Sequence, residues 1–151
     1  MPNYCYNTLS ASDEVLKQIV NEKGEIDFNK IVPMPKELEY TLSPSRVETR
    51  EEKDKSKKLI DKYGSDNWYD WSCENWGTKW NGETYEIHCD GKGFIKFNTA
   101  WEYPDAFINS LSQKFPEEEL KVEWEEEQGF GEIFTIKNGK KVIHEKWDLP
   151  N

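Results

Sequence analysis

Apolar residues recur in short periodic runs along the chain, separated by turn residues. Tyr4 to Leu9 is a β-favouring run that ends in Ser10-Ala11-Ser12. Ser12 suits a helix N-cap, with Asp13 and Glu14 in the first turn, where the helix dipole favours negative charge. Val15, Leu16, Ile19 and Val20 follow at helical spacing, and Gly24 supplies the stop. Ile26 to Ile31 alternates with period two and predicts a second strand, closed by Pro33 and Pro35, which cannot donate to a sheet ladder.

Residues 43–64 are heavily charged, and apolar positions are scarce there until Leu59, Ile60 and Tyr63. Glu51–Lys55 and Asp54–Lys58 are (i, i+4) pairs in the favoured orientation, so the segment reads as a helical insertion, on the surface or mobile, ended by Gly64. A further helix, capped by Ser65 or Asp66 and stopped at Gly77, carries Trp68, Tyr69, Trp71, Cys73 and Trp76. Trp68 and Trp71 share one side of it, with Tyr69, Cys73 and Trp76 on the neighbouring arc.

Tyr85, Ile87 and Cys89 alternate, as do Ile95, Phe97, Thr99 and Trp101, around a turn at Asp90-Gly91-Lys92-Gly93. Keeping Ile87 opposite Ile95 requires an odd-length loop. Pro104 fits the first helical position ahead of Phe107, Ile108, Leu111 and Phe115. Leu120, Val122 and Trp124 face one way, and Glu119, Lys121, Glu123 and Glu125 the other. Asn138-Gly139 between Phe134 and Ile143 is a strong hairpin signal, and a two-residue turn there pairs those two residues. The order β–α–β, helical insertion, β–β–α–β–β–β predicts an α+β fold. Its antiparallel sheet carries helices on one face, in one domain over residues 1–151.

Composition narrows the function classes. Hydrophobic content of 35% and charged content of 33% lean toward disorder, but seven each of Trp, Tyr and Phe supply a core, since each buries roughly 150–250 Å². The net charge of −10 argues against nonspecific binding to duplex nucleic acid, which needs Lys and Arg to displace counterions. No run reaches the length of a membrane-spanning helix, and Met1 to Tyr6 lacks the basic and apolar regions of a signal peptide. Cys5, Cys73 and Cys89 are odd in number and far apart, as expected for reduced cytosolic thiols and not for a disulfide framework.

Four blocks, taken in order, carry a family resemblance: MPNYCYNTL at the start, DFNKIVPMP at 27–35, NWYDW and ENWGTKW at 67–80, and FNTAW at 97–101. Together they resemble the YubB-like ferredoxin-fold family, small proteins of phages, plasmids and bacterial genomes. The resemblance covers the first two-thirds of the chain. It departs at Tyr4, where Trp is common, and at Glu102-Tyr103-Pro104, where a Ser-Pro-Pro-like run is usual. It implies a ferredoxin-like α+β sandwich and a mobile-element origin, with no activity and no catalytic residues attached. An iron–sulfur cluster would need four cysteine ligands, and the chain has three scattered ones.

The remaining constellations are weighed on chemistry. Cys73, His88 and Cys89 lack the paired spacing of a zinc site, and neighbouring strand residues 88 and 89 point to opposite faces. His88 and His144 have no nucleophile signature beside them, and the 90–93 turn is followed by a strand, so it offers no helix N-terminus to a phosphate. No catalytic, cofactor or metal residues are therefore expected. Asp66, Asp70 and Glu74 recur at helical spacing, and Glu117, Glu118, Glu119, Glu123, Glu125, Glu126 and Glu127 form a denser acidic run. Each set reads either as solvated surface or as a docking site for a basic partner, and the strand set also reads as protection of a sheet edge. Trp76, Lys79 and Trp80 are either core or an exposed stacking platform.

The leading expectation is a non-enzymatic accessory protein of a phage or other mobile element. It would occlude a host protein with a basic surface, such as a nucleic-acid-binding defence factor, using Asp66, Asp70, Glu74, Glu119, Glu123 and Glu125. The alternatives are a small-ligand or single-strand binder built on Trp76, Lys79 and Trp80, and an enzyme of unrecognised type.

Overall fold

The strand periodicities converge on one six-stranded sheet, ordered β2-β3-β1-β4-β5-β6 with every neighbouring pair antiparallel. A computed structural model describes residues 3–89 and 93–148. The strands are β1 (Tyr4–Ala11), β2 (Glu83–His88), β3 (Gly93–Ala100), β4 (Leu120–Glu126), β5 (Gly131–Lys137) and β6 (Lys140–Trp147). The helices are α1 (Asp13–Ile19), α2 (Arg50–Tyr63), α3 (Trp68–Asn75) and α4 (Asp105–Lys114), with 3₁₀ turns at Phe28–Lys30 and Lys36–Leu38. β3 lies between β1 and β2, and β1 lies between β3 and β4. Two split β-α-β units are thus interleaved, and β5 and β6 extend the sheet as a meander.

Local chemistry sets the boundaries. The Ser12 hydroxyl accepts from the Val15 N–H at 3.4 Å and opens α1. Thr49 and Glu52 form a capping box at the start of α2, and Gly64, at φ 82°, closes it in a conformation that costs glycine little. The cap of α3 is Asn67, not Ser65 or Asp66, because its side chain accepts from the Asp70 N–H at 2.9 Å. Pro104 occupies the cap of α4, one residue earlier than its spacing predicts. Asn138 and Gly139 both take positive φ, 48° and 78°, and Phe134 pairs with Ile143 across the hairpin as expected. Ile87 pairs with Ile95, while residues 90–92 of the predicted turn lie outside the described residues.

The strand expected at 26–31 does not form. Ile26 makes only an isolated bridge to Val20. Side chains take the N–H groups a ladder would need: Ile26 donates to Thr84 Oγ1 at 2.8 Å, Phe28 to Asn81 Oδ1 at 2.9 Å and Asn29 to Asp27 Oδ1 at 3.0 Å. The period-two pattern there reflects burial of Ile26 and Phe28, without a sheet neighbour.

One face of the sheet holds the core. Leu9, Ile95, Phe97, Leu120, Val122, Phe134 and Ile136 meet α1, α3 and α4, and α2 adds Leu59. Phe28 sits at the centre, stacked on Phe107 at 4.3 Å and edge-on to Trp76 at 5.7 Å and Phe97 at 6.0 Å. Trp71 is edge-on to Trp76 at 5.4 Å, so these two indoles of α3 and its cap build the core.

Candidate functional site

Strand alternation sends the other half of each strand to the face opposite the helices. Three rows of paired residues cross it. One runs Glu83, Asn98, Tyr6, Glu125, Gly131 and Trp147, and the next runs Glu86, Lys96, Thr8, Glu123, Ile133 and Glu145. The third runs His88, Phe94, Ser10, Lys121, Thr135 and Val142. Glu123 and Glu125 are exposed near the middle of this face, and Glu119 is exposed one residue before β4. Trp147 reaches over Gly131, where a Cβ would stand 2.8 Å from its ring, and donates its indole N–H to Glu125 Oε2 at 3.0 Å. The Tyr6 hydroxyl donates to Glu127 at 3.5 Å.

Protection of a sheet edge is overturned as a role for this acidic strand. β4 is an interior strand between β1 and β5, and the edges belong to β2 and β6. Glu126 also leaves the acidic surface: it is buried on the core face opposite Cys5 and accepts from the Gln128 N–H at 2.9 Å. Burial pushes the Cys5 thiol up to about 12, so it stays neutral and unreactive.

The helical acidic set does not form one stripe, because Asp66 precedes the cap of α3 and lies outside the helix. Its carboxylate accepts from Ser45 and Ser56, each at 2.5 Å, and from Asn67 at 2.8 Å. Burial raises its pKa, but these hydrogen bonds together outweigh burial and hold it below the ordinary Asp value. Asp66 therefore ties the 43–49 segment and α2 to α3. Asp70 and Glu74 are exposed on α3, in the helix layer, and the structure does not bring them together with Glu119, Glu123 and Glu125.

The Trp76–Trp80 segment divides in two. Trp76 is buried, with its indole N–H donated to the Val32 carbonyl at 2.8 Å, so it is no platform. Trp80 is exposed, and the Lys79 ammonium lies 4.1 Å from its ring centroid and 3.9 Å from that of Trp101, which is also exposed. The loop is held from both sides: the Ser72 hydroxyl donates to the Lys79 carbonyl at 2.9 Å, and the Thr78 hydroxyl donates to that of Ala100 at 3.1 Å. Trp101 has φ 68° and donates its backbone N–H to Asn3 at 2.8 Å, which ends the β3 alternation and turns the indole toward Lys79. Strand spacing conceals this pairing, since Trp101 reads as one more residue of the 95, 97, 99 series.

A second cluster has no signal in the sequence pattern. Lys141, on β6, donates to buried Glu132 at 2.7 Å and to the Tyr103 hydroxyl at 3.0 Å. Burial opposes the Lys141 charge, but these two partners outweigh it and raise its pKa. A groove of about 330 Å³ beside α4 runs past Tyr103, Asp105, Asn109, Phe134 and Lys141. The cluster anchors the β5–β6 hairpin to the helix layer. His88 contacts Glu86 at 3.3 Å on the open face and Cys73 lies on α3, so these two do not converge. Among the described residues no group of three His, Cys, Asp or Glu side chains could hold a metal, and no helix is long and apolar enough to cross a membrane.

Interleaved split β-α-β units beneath one helix layer define a ferredoxin-like α+β protein. Residues 75–149 match the family model described as the ferredoxin-like domain in Api92-like protein. The matched region begins at the end of α3 and takes in β2 through β6, with Lys79, Trp80, Trp101, Glu123 and Glu125 inside it. No curated protein and no solved structure matches the chain.

Proposed function

We propose that the protein is a non-enzymatic binding protein that docks the open face of its sheet on a partner protein with a basic surface. The observation that carries this reading is a six-stranded face over which no helix lies among the described residues. On its rows through Tyr6 and Thr8, Glu83, Glu86, Glu123, Glu125 and Glu145 stand against Lys96 alone, while Lys121 and the Lys137–Lys140 pair lie toward the β5–β6 turn. Such a face steers a cationic partner by charge and repels nucleic-acid phosphate. Tyr6, Trp147 and Ile133 add amphipathic and apolar contact between the carboxylates, the kind of residue that carries binding energy at interface centres.

The mechanism is occlusion, with no bond made or broken. A target that itself binds nucleic acid fits best, because its phosphate-binding side chains would meet glutamate carboxylates. The resemblance to YubB-like proteins supports placing the partner in a bacterial host, in the cytoplasm, and a defence factor is the natural target for a mobile-element protein. The test is capture from a bacterial lysate with wild type and with the Glu123→Lys/Glu125→Lys double variant. The retained partner should be lost from the double variant and kept by Glu74→Lys. Equal retention by all three would overturn the assignment to the open face.

A further inference from the structure

The Lys79 ammonium lies against two indoles, 4.1 Å from the Trp80 ring centroid and 3.9 Å from that of Trp101. Like most lysines among the described residues, it has no carboxylate within ion-pair distance. Both indoles are nearly half exposed, at 45% and 44%, whereas the cluster of Phe28, Trp71, Trp76, Phe97 and Phe107 is buried. Their backbone supports are independent of the Lys79 side chain: Trp101 is pinned by Asn3, and the 76–80 loop by Ser72 and Thr78. The clamp therefore persists if the lysine, a long flexible side chain, swings out.

We propose that Trp80 and Trp101 form a clamp for a cationic side chain of the partner protein, foremost an arginine guanidinium, and that Lys79 is its internal placeholder. Indole faces attract cations through their quadrupole, and a guanidinium stacks on them better than an ammonium does. The surroundings choose the sign of the guest. Glu102 follows Trp101 directly, and both Glu102 and Asp70 act on the nearby Cys73 thiol: burial pushes that thiol up, the two carboxylates add to the effect, and Lys79 opposes it. With Lys79 displaced, this locality is negative, so it accepts a cation and disfavours a phosphate or carboxylate. The clamp is open to solvent and does not enclose a ligand as small-molecule pockets do, which favours a group delivered on a protein surface over a free small cation. The idea rests on the reading of a basic partner, and it supplies a specific anchor for one of that partner's cationic side chains.

The test needs no partner and leaves Glu123 and Glu125 untouched, so its failure is separate from failure of the open-face assignment. The indole N–H resonances of Trp80 and Trp101, assigned through Trp80→Phe and Trp101→Phe, are followed by NMR. Titrants are a capped Gly-Arg-Gly peptide, its citrulline analogue, tetramethylammonium and a short oligothymidine. The arginine peptide should shift both resonances, and Lys79→Ala should bind it on the order of tenfold more tightly, because the competing cation is gone. Citrulline, of the same shape without the charge, should leave both resonances in place. An arginine peptide that binds Lys79→Ala no better than wild type, or a citrulline peptide that binds equally, would overturn the proposal. Tighter binding of tetramethylammonium would overturn the side-chain source, and tighter binding of the oligothymidine would make the clamp a base-stacking site instead.

Discussion

The two faces of the sheet use the same strands and alternate residues, yet they are governed by different physics. On the covered face, Leu9, Ile95, Phe97, Leu120, Val122 and Phe134 are almost wholly withdrawn from water. Polar groups there survive only with partners. The Asn7 amide donates to the carbonyls of Cys5 and Phe97 and to Thr99 Oγ1, and Glu132 accepts from Lys141 and Trp124. On the open face, Glu123, Glu125, Glu86 and Glu145 remain in water, and their contacts are long or sparse. Substitutions on the first face should therefore be read in stability, and those on the second in binding.

The largest effect is expected at the centre of the covered face. Phe28→Ala removes the ring that meets Trp76, Phe97 and Phe107, and should cost about 3–5 kcal/mol in denaturant unfolding. A loss below about 1 kcal/mol would mean that the core is not centred there. Lys141→Met comes next, because it leaves the buried Glu132 carboxylate with the Trp124 indole N–H and without its cation. The cost should be about 2–3 kcal/mol, and Glu132→Gln in the same background should recover part of it. Gly139→Val forces a β-branched residue into φ 78° and should cost about 1–2 kcal/mol, measured as a fall in Tm. An unchanged Tm would mean that this turn is not tight.

Asp66→Asn should show a smaller, pH-dependent effect. The folded carboxyl titrates below its ordinary value, so its stabilising contribution is present above the unfolded value of about 3.9 and fades as pH falls through the folded one. The urea midpoint of wild type should exceed that of the variant at neutral pH, and the gap should narrow below about pH 4. A gap independent of pH would show that the hydrogen bonds from Ser45 and Ser56 do not depend on the carboxylate charge.

Alternation alone makes the two faces legible in the sequence. Leu120, Val122 and Trp124 against Lys121, Glu123 and Glu125 is a pattern that only a half-buried strand satisfies, and Asn138-Gly139 sets the register of the β5–β6 hairpin beside it. The failures share a cause, which is side chains competing with the backbone. At 26–31, Thr84 and Asn81, from positions that spacing does not link, and Asp27, two residues before its donor, take the N–H groups of a would-be strand. At Asp66, two serines distant in sequence turn an expected docking carboxylate into an internal tie. Trp101 is hidden differently: a positive φ at one residue redirects an indole that period two would leave in line. The interior position of β4 follows from strand order, which no local pattern encodes.

The smallest effect on folding and the largest on binding should coincide at Glu123→Lys/Glu125→Lys. Both residues are exposed, and the Trp147 indole N–H that donates to Glu125 does so at the surface, so unfolding free energy should stay within about 0.5 kcal/mol of wild type. The affinity of the captured partner for wild type and for this double variant, measured at low salt and again near 0.15 M, where the Debye length is about 8 Å, tests the open-face assignment most directly. Binding to wild type should weaken as salt rises, and the charge-reversed variant should bind more weakly at both concentrations, with a shallower salt dependence. An affinity that responds to neither charge reversal nor salt would contradict an acidic docking face.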